Sequence, residues 1–215
     1  VNNSLVCWGL EHYASDFLKE KYLIPLASGQ KLGAFALSEP EAGSDATNQH
    51  TEAVKVGDNW SVNGIKNWIT NGKNADYYLV MAQTNRELRH KGITTFLIEK
   101  GTPGFDQAKK EDKLGIRSSD TCSISFSDCL VPHENIVWEE GKGFNFAMKT
   151  LNGGRIGIAA QALGIAEASL EASINYSKQR KAFGTEIKNH QAIQFKIADM
   201  AVQVEASKLL ILEAA

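Results

Sequence analysis

Eight residues carry the densest group of potentially catalytic side chains. The stretch SEPEAGSD spans residues 38–45 and holds three acids, a proline, a glycine and two serines. Glu39, Glu41 and Asp45 could form a catalytic carboxylate cluster or a cation site. They could equally be solvated loop acids around a ligand held by the backbone, because the proline and Gly43 make a rigid loop with free N–H groups. Composition alone favours a solvated turn.

Two other motifs combine glycines with aromatic or basic side chains. NWITNG (residues 67–72) places Trp68 beside Thr70 at the end of a strand-like run. Trp68 could be a core residue next to a hairpin turn, or an aromatic wall with a hydroxyl donor for a planar cofactor. LNGGR (residues 151–155) puts two glycines in a helical context, where each costs roughly 1 kcal/mol relative to alanine. Either close helix packing explains them, or a bulky ligand lies there and Arg155 holds an anionic or carbonyl group.

The pattern of apolar and polar residues changes along the chain. Residues 1 to about 30 carry apolar side chains at helical spacing, and Ser15 or Asp16 is suited to cap a helix there. From there to the segment LVPHENIV the pattern is a series of short β-type runs. Such strands without helices between them suggest an antiparallel barrel or sandwich. Asn63-Gly64 is the strongest hairpin signal, because both residues tolerate the positive φ of a type I′ turn.

From Gly143 onward the pattern is helical again. A long segment rich in Ala, Ile and Leu is followed by the short loop KAFGTEIKN and by a second long segment. Two long helices with a tight connection are expected to pack antiparallel. KQRKAFG (residues 178–184) and Gln191 place cations and an amide around that connection, which alone is typical of an ordinary cationic helix end.

Composition limits the function classes. Of the 215 residues 43% are hydrophobic and 22% are charged, and the net charge of −2 offers no basic surface for nucleic acid or anionic membrane. No apolar run reaches the roughly 18 residues of a membrane span. Three widely spaced cysteines argue against a disulfide framework, and they lack metal-site spacing. The chain begins at Val1 and stops inside a helical pattern, so we expect an internal segment of a longer protein, with no targeting segment in view.

Six motifs in this order resemble the acyl-CoA dehydrogenase family, most closely its short-chain, butyryl-CoA type: FALSEPEAGSD, NGIKNWITNG, KLGIRSSDT, LNGGRIGIAAQALGIA, QRKAFG and HQAIQFKIADM. They cover essentially the whole chain. The resemblance implies an α+β multidomain fold, with the end of an N-terminal helical domain at 1–32, a middle β domain (an antiparallel barrel or sandwich) for flavin and acyl-CoA at 33–138, and the start of a C-terminal helical bundle at 139–215. It also implies FAD between the β domain and the C-terminal helices, and a homotetramer.

The resemblance further implies site residues. Leu37 and Ser38 would meet the isoalloxazine ring, with Trp68 beside it and the Thr70 hydroxyl near flavin N5. The full set of implied FAD contacts is Phe35, Ala36, Leu37, Ser38, Gly43, Ser44, Trp68, Ile69 and Thr70, together with Arg180 and Gln191, which would reach FAD from a neighbouring subunit. The implied acyl-CoA contacts are Ser44, Asn152, Gly153, Gly154 and Arg155. Many relatives carry Asp where this chain has Asn152. On this interpretation Glu39, Glu41 and Asp45 are polar loop acids that shape and solubilise the turn.

The implied reaction is the α,β-dehydrogenation of a short-chain acyl-CoA to the trans-2-enoyl-CoA in fatty acid β-oxidation, with electrons passed to electron-transfer flavoprotein. A glutamate removes the α-proton while the β-hydrogen leaves as hydride to the flavin. In most relatives that glutamate lies in a loop well after the second C-terminal helix, and in others it occupies the position of Gly154. We therefore expect no catalytic residue in this chain, a base C-terminal to Ala215, and no turnover by these 215 residues alone.

Two alternative functions stay open. An acyl-CoA oxidase would share the fold and the flavin but pass electrons to oxygen. A non-catalytic scaffold would bind acyl-CoA or flavin without turnover. The expected location is the cytoplasm in a bacterium and the mitochondrial matrix in a eukaryote, with neither metal nor nucleic acid as a ligand.

Overall fold

The computed structural model describes residues 1–215 and begins with a series of short helical segments. They are a π-helical turn Asn2–Cys7, α1 (Trp8–Tyr13), α2 (Asp16–Leu18), a second π-helical turn Lys19–Leu23, and α3 (Ile24–Ala27). Their buried side chains recur at every fourth residue: Val6, Leu10, Ala14, Leu18, Tyr22 and Leu26. This spacing of four residues is longer than the about 3.6 residues of an α-helical turn. The π-helical turns contain more residues per turn, and they therefore keep these side chains on one face. The Ser15 hydroxyl accepts a hydrogen bond from the Leu18 N–H at 3.3 Å, which confirms the predicted cap.

A mixed sheet of eight strands follows. The strands are β1 (Gly33–Ala36), β2 (Glu52–Val56), β3 (Asn59–Thr70), β4 (Tyr77–Gln83), β5 (Ile93–Glu99), β6 (Phe105–Gln107), β7 (Thr121–Pro132) and β8 (Ile136–Val137). Their order is β6-β7-β3-β2-β4-β5-β8, and β1 pairs with β4. The β1–β4 and β2–β4 pairings are parallel and the others antiparallel. The predicted α+β class is confirmed, with a mixed rather than a purely antiparallel sheet.

The predicted hairpin at Asn63-Gly64 is wrong. β3 runs through both residues without a break, and the turn between β2 and β3 lies at Gly57-Asp58. Gly64 has a φ of 146°, and a Cβ at this position would lie 2.6 Å from the Cα of Thr51. The β3–β7 pairing also shifts register at this point. Glycine is therefore needed for a close approach between distant chain segments, which the dipeptide alone does not encode.

β4 is covered on both faces because two hydrophobic clusters pack against it. Tyr78, Val80 and Ala82 belong to a cluster built from strand residues. Leu79 and Met81 belong to a second cluster, which includes the N-terminal helical segments and the beginning of the long helix that follows the sheet. The run YYLVMA is continuously apolar for this reason. The N-terminal segments are thus packed onto the sheet.

Two long helices complete the chain, α4 (Gly143–Gln179) and α5 (Gln191–Ala214), joined by a small hairpin of β9 (Lys181–Ala182) and β10 (Thr185–Glu186). They run side by side in opposite directions, as the short connection predicts. Both helices line the groove between them, and Glu167 and Lys208 form an ion pair across it at 3.8 Å.

The chain divides into two compact units, Val1–Asn152 and Gly153–Ala215, and the break falls inside α4. The division into three domains at 1–32, 33–138 and 139–215 stays a prediction. None of the helices combines the length and the apolar character that crossing a membrane requires.

Candidate functional site

The first predicted flavin segment leaves the sheet at the end of β1. Exposure of its predicted contact residues rises from buried Ala36, through half-buried Phe35, Leu37 and Ser38, to exposed Gly43 and Ser44. A Cβ at Gly43 would meet no atom within 4 Å. Packing within the chain therefore does not require a glycine there, and space is left for a ligand to approach the backbone. The Ser38 hydroxyl makes no hydrogen bond in the chain.

A β-bulge sets the direction of the second predicted segment, at the end of β3. Between Lys66 and Ile69 the register shifts, because β3 advances three residues while β7 advances two. Trp68 adopts a φ of 59° within this bulge. As a result Ile69 enters the core at 2% exposure, while Trp68 is 61% exposed. The interpretation of Trp68 as a core residue is wrong, and its indole is free to act as an aromatic wall.

Hydrogen bonds bring the two segments side by side. The Asn67 N–H donates to the Ser38 carbonyl at 2.8 Å. The Asn67 side chain is itself held, because the Ser123 hydroxyl donates to Asn67 Oδ1 at 2.6 Å. Leu37, Ser38, Trp68 and Thr70 thus belong to neighbouring chain segments, and we refer to these four residues as the site surface. It combines apolar area with two hydroxyl groups that have no hydrogen-bond partner in the chain.

A fully buried ammonium group fixes the first segment. Lys66 has a side-chain exposure of 0%. Its Nζ donates to the Leu37 carbonyl at 3.1 Å, to Glu39 Oε1 at 2.7 Å and to Gln49 Oε1 at 3.0 Å. These contacts use all three donors of the ammonium group. One side chain of β3 therefore holds the backbone of the segment that carries Leu37 and Ser38.

Glu39 is not a solvated loop acid, which corrects the prediction for one of the three acids. It is 4% exposed, and besides Lys66 its carboxylate accepts hydrogen bonds from the Thr51 N–H at 3.0 Å and from the His50 N–H. Burial raises the pKa of Glu39, but the Lys66 ammonium and the two N–H donors outweigh burial and hold it below the ordinary value. Burial also lowers the pKa of Lys66 to about 8, against the attraction of Glu39. Glu39 is therefore ionised at neutral pH and poorly suited to accept a proton.

Glu41 and Asp45 are exposed, in agreement with their prediction as loop acids. The three residues that sequence reasoning missed are Lys66, Gln49 and Asn67. A signal for Lys66 was available, since it shares a strand face with the buried residues Trp60 and Val62. A lysine on a buried strand face needs an acidic partner. The alternation of buried and exposed residues along β3 does not show which acid that is.

The predicted substrate segment lies on α4, at the break between the two units. Asn152 ends the first unit, and Gly153, Gly154 and Arg155 begin the second. Asn152, Gly153 and Arg155 are exposed. A Cβ at Gly153, or at the nearby Gly157 and Gly164, would meet nothing within 4 Å. Close helix packing within this chain therefore does not explain these glycines.

Arg180 and Gln191 lie at the two ends of the connection between α4 and α5. Both side chains are exposed, and Gln191 is the first residue of α5. The Arg180 carbonyl accepts a hydrogen bond from the Ile187 N–H at 2.8 Å, which closes the small β hairpin. Their contact with FAD across a subunit boundary stays a prediction.

Comparison with known proteins gives consistent matches along the chain. Residues 34–129 match the family model "Acyl-CoA dehydrogenase, middle domain", and residues 141–215 match "Acyl-CoA dehydrogenase, C-terminal domain". The short-chain specific acyl-CoA dehydrogenase of Megasphaera elsdenii is 53% identical over 204 residues, which cover 94% of this chain and 53% of that protein. The chain spans about half the length of the curated relatives it matches.

Solved structures agree with the sequence matches. The butyryl-CoA dehydrogenase of Megasphaera elsdenii superposes with a TM-score of 0.96 at 52% identity, covering 99% of this chain and 56% of that one. A chain in the structure "Electron transferring flavoprotein of Acidaminococcus fermentans: Towards a mechanism of flavin-based electron bifurcation" has a TM-score of 0.96 at 50% identity, with 99% of this chain and 56% of that chain covered.

Proposed function

The chain belongs to the acyl-CoA dehydrogenase family, and from this premise we propose that the protein containing it catalyses the FAD-dependent α,β-dehydrogenation of a short-chain acyl-CoA to the trans-2-enoyl-CoA. The observation that carries the proposal is the site surface, in which the Asn67–Ser38 hydrogen bond joins the two segments. About 50% identity to short-chain and butyryl-CoA relatives supports the short-chain substrate.

The site surface fits a flavin. A planar ring system with one polar edge needs apolar walls and a few donors, which here are Trp68, Leu37 and the hydroxyls of Ser38 and Thr70. Open space at Gly43 lets a bulky group approach the backbone. When bound, FAD supplies the two-electron acceptor that the dehydrogenation requires. The other proposed FAD contacts are Phe35, Ala36, Ser44 and Ile69, of which Ala36 and Ile69 have buried side chains and could contribute only through the backbone.

The acids of the SEPEAGSD loop are not proposed as the catalytic base. Removing a proton from the α-carbon needs a carboxylate whose pKa is raised, whereas the pKa of Glu39 is lowered. Glu39 instead keeps the Leu37–Ser38 backbone in place through Lys66. Gly154 stands where some relatives carry the base, so we propose that these 215 residues do not turn over substrate by themselves.

The remaining proposed contacts lie mostly in the second unit and complete the proposal. Asn152, Gly153, Gly154, Arg155 and Ser44 are proposed to contact acyl-CoA, and Arg180 and Gln191 to contact the FAD of a neighbouring subunit in a homotetramer. Exposed glycines without a packing role are consistent with a ligand lying against α4.

The test begins with the full-length protein purified under native conditions. We expect bound flavin, and we expect butyryl-CoA to bleach its absorbance under anaerobic conditions. Thr70→Val should slow this bleaching while leaving the thermal unfolding midpoint unchanged, because the Thr70 hydroxyl has no partner in the chain. Protein without flavin, or bound flavin that butyryl-CoA does not bleach, would favour the non-catalytic scaffold and overturn the proposal.

The electron acceptor needs a separate measurement. We propose electron-transfer flavoprotein, supported by the similarity to a chain in a structure named for that protein. Reduced enzyme should reoxidise much faster with electron-transfer flavoprotein than with dissolved oxygen. The opposite order would identify an acyl-CoA oxidase.

A further inference from the structure

The β-bulge at the end of β3 directs two backbone N–H groups to acceptors other than the backbone of β7. Asn67 and Trp68 of β3 stand opposite the single residue Ser123 of β7. The N–H of Asn67 donates to the Ser38 carbonyl, as described above. The N–H of Trp68 donates to the side chain of the preceding residue, with 3.0 Å between the nitrogen and Asn67 Oδ1.

The side-chain oxygen of Asn67 accepts two hydrogen bonds. Besides the Trp68 N–H, the Ser123 hydroxyl donates to Asn67 Oδ1 at 2.6 Å. A carboxamide oxygen has two lone pairs, so this acceptor is fully used. Because a backbone N–H can only donate, the atom beside it is the oxygen, and the orientation of the amide is fixed. The Asn67 side chain therefore ties the bulge residue Trp68 to β7.

The bond from the Trp68 N–H supports an unfavourable backbone conformation. Trp68 has a φ of 59°, in the left-handed region that a bulky side chain rarely adopts. Such a conformation persists only where surrounding contacts hold it. Asn67 Oδ1 on one side and the buried Ile69 side chain on the other supply such contacts. The outward direction of the Trp68 indole thus depends on the Asn67 carboxamide.

We propose that Asn67 is a positioning residue for flavin binding: its carboxamide, braced by the Ser123 hydroxyl, holds the Trp68 indole in the orientation in which it meets the isoalloxazine ring. This inference rests on the proposed function. Contacts between aromatic rings depend on their mutual angle, so an indole that is already held contributes more to binding than one that must be ordered. A substitution of Asn67 by another residue with a backbone N–H keeps the bond to Ser38 and tests the carboxamide alone.

Release of FAD from the flavin-loaded full-length protein is the first test, followed by the rise of flavin fluorescence after dilution. Asn67→Leu removes the acceptor but keeps a branched side chain of similar shape, and we expect FAD to dissociate about fivefold faster. Ser123→Ala should accelerate release by about twofold, and Ser123→Thr, which keeps the hydroxyl, should restore the wild-type rate. Ser125→Ala is the matched control, because Ser125 is a half-buried serine on the same face of β7 without a side-chain hydrogen bond.

A double-mutant cycle shows whether Asn67 acts through Trp68. In a Trp68→Ala background, we expect Asn67→Leu to change the rate of FAD release by less than about twofold, because the residue that Asn67 positions is gone. The same fold-change in both backgrounds would overturn the inference, since Asn67 would then act independently of the indole.

The orientation of the indole is tested by fluorine NMR of full-length protein labelled with 5-fluorotryptophan, which requires neither flavin nor turnover. The Trp68 signal is the one that is absent from Trp68→Ala. We expect Asn67→Leu to shift or broaden this signal and to leave those of Trp8, Trp60 and Trp138 in place. An unchanged Trp68 signal would overturn the inference. Wild-type protein that binds no FAD would overturn the proposed function, whereas the fluorine spectrum would still decide whether Asn67 orients the indole.

Discussion

The two compact units hold their predicted functional residues in different ways. In Val1–Asn152 the site surface is positioned by a buried ion pair and by the backbone hydrogen bond from Asn67 to Ser38. In Gly153–Ala215, α5 buries none of its side chains, and both helices expose large apolar residues such as Ile165, Phe195 and Leu210. Arg180 and Gln191 are exposed as well.

This contrast separates two kinds of evidence for a site. In the first unit the contacts of the chain determine where Leu37, Ser38 and Trp68 lie, so their arrangement is itself an argument for function. In the second unit the roles of Arg180 and Gln191 follow from position in the sequence alone. Substitutions in the first unit should therefore have large effects, and each should act mainly on stability or mainly on ligand binding. Substitutions in the second unit should have small effects.

The largest effect is expected for Lys66→Met. The variant leaves the Glu39 carboxylate buried without its counter-charge, which typically costs about 3–5 kcal/mol of unfolding free energy. Tryptophan fluorescence during urea unfolding measures it, because all four tryptophans lie in the first unit. Lys55→Met, at an exposed position, is the control. A loss below about 1 kcal/mol would show that the ion pair does not hold the segment together.

A double substitution sharpens this result. Lys66→Met/Glu39→Leu replaces both charges by apolar groups and should recover part of the lost stability, because the Thr51 N–H and Gln49 Oε1 lose their partners as well. It still removes the donor to the Leu37 carbonyl, so flavin should bind more weakly than to the wild type. Flavin fluorescence during equilibrium titration measures that affinity. Full recovery of both properties would mean that Lys66 serves folding alone.

The bulge at the end of β3 places two neighbouring residues, Trp68 and Ile69, on opposite sides of the strand, so their substitutions can be compared directly. Ile69→Ala removes a buried side chain and should cost about 2–5 kcal/mol of unfolding free energy. Trp68→Ala removes an exposed side chain and should change stability by about 0.5 kcal/mol or less while weakening flavin binding. Urea unfolding followed by circular dichroism, and flavin titration, measure the two properties. Strong destabilisation by Trp68→Ala would contradict the outward orientation of the indole.

A smaller effect on the unfolding free energy is expected when the pH is lowered. The pKa of Glu39 is lower in the folded chain than its ordinary value of 4.5. As the pH falls below about 4.5 the unfolded state therefore takes up the proton first, and the stability that Glu39 contributes is lost as the pH drops through its folded pKa. Glu39→Gln should flatten the acidic part of a plot of unfolding free energy against pH. Glu41→Gln, at an exposed position, should leave the slope as in the wild type.

The smallest effect is expected on α4. Gly157→Ala adds a Cβ that meets nothing within 4 Å, so it should stabilise the helix by up to about 1 kcal/mol. Thermal unfolding followed by far-UV circular dichroism measures it. Gly64→Ala is the comparison variant. Its Cβ would collide with Thr51, so this variant should destabilise the first unit. Destabilisation by Gly157→Ala would show that α4 packs closely against a partner at this glycine.

Local signals predicted much of the fold correctly. Apolar spacing indicated the N-terminal helical segments, Ser15 their cap, and two long helices with a short connection the antiparallel pair. Most of the strands followed from β-type runs between turn residues. Each of these signals acts over a few neighbouring residues, so the sequence carries it directly. The short strands β6 and β8 escaped prediction because two or three residues carry too little pattern.

The sequence by itself determined the order of helices and strands, the family, and the segments from which the site is made. Only the tertiary structure decided that Glu39 is buried, that Asn63-Gly64 continues a strand and that Trp68 faces outward. The reason is that each of these depends on a distant partner. Lys66 lies 27 residues after Glu39, and the register shifts of β3 exist only through pairing with β7. The sequence alone does not distinguish Glu39 from Glu41 and Asp45. The fold does, because only Glu39 forms an ion pair with the buried ammonium group of Lys66.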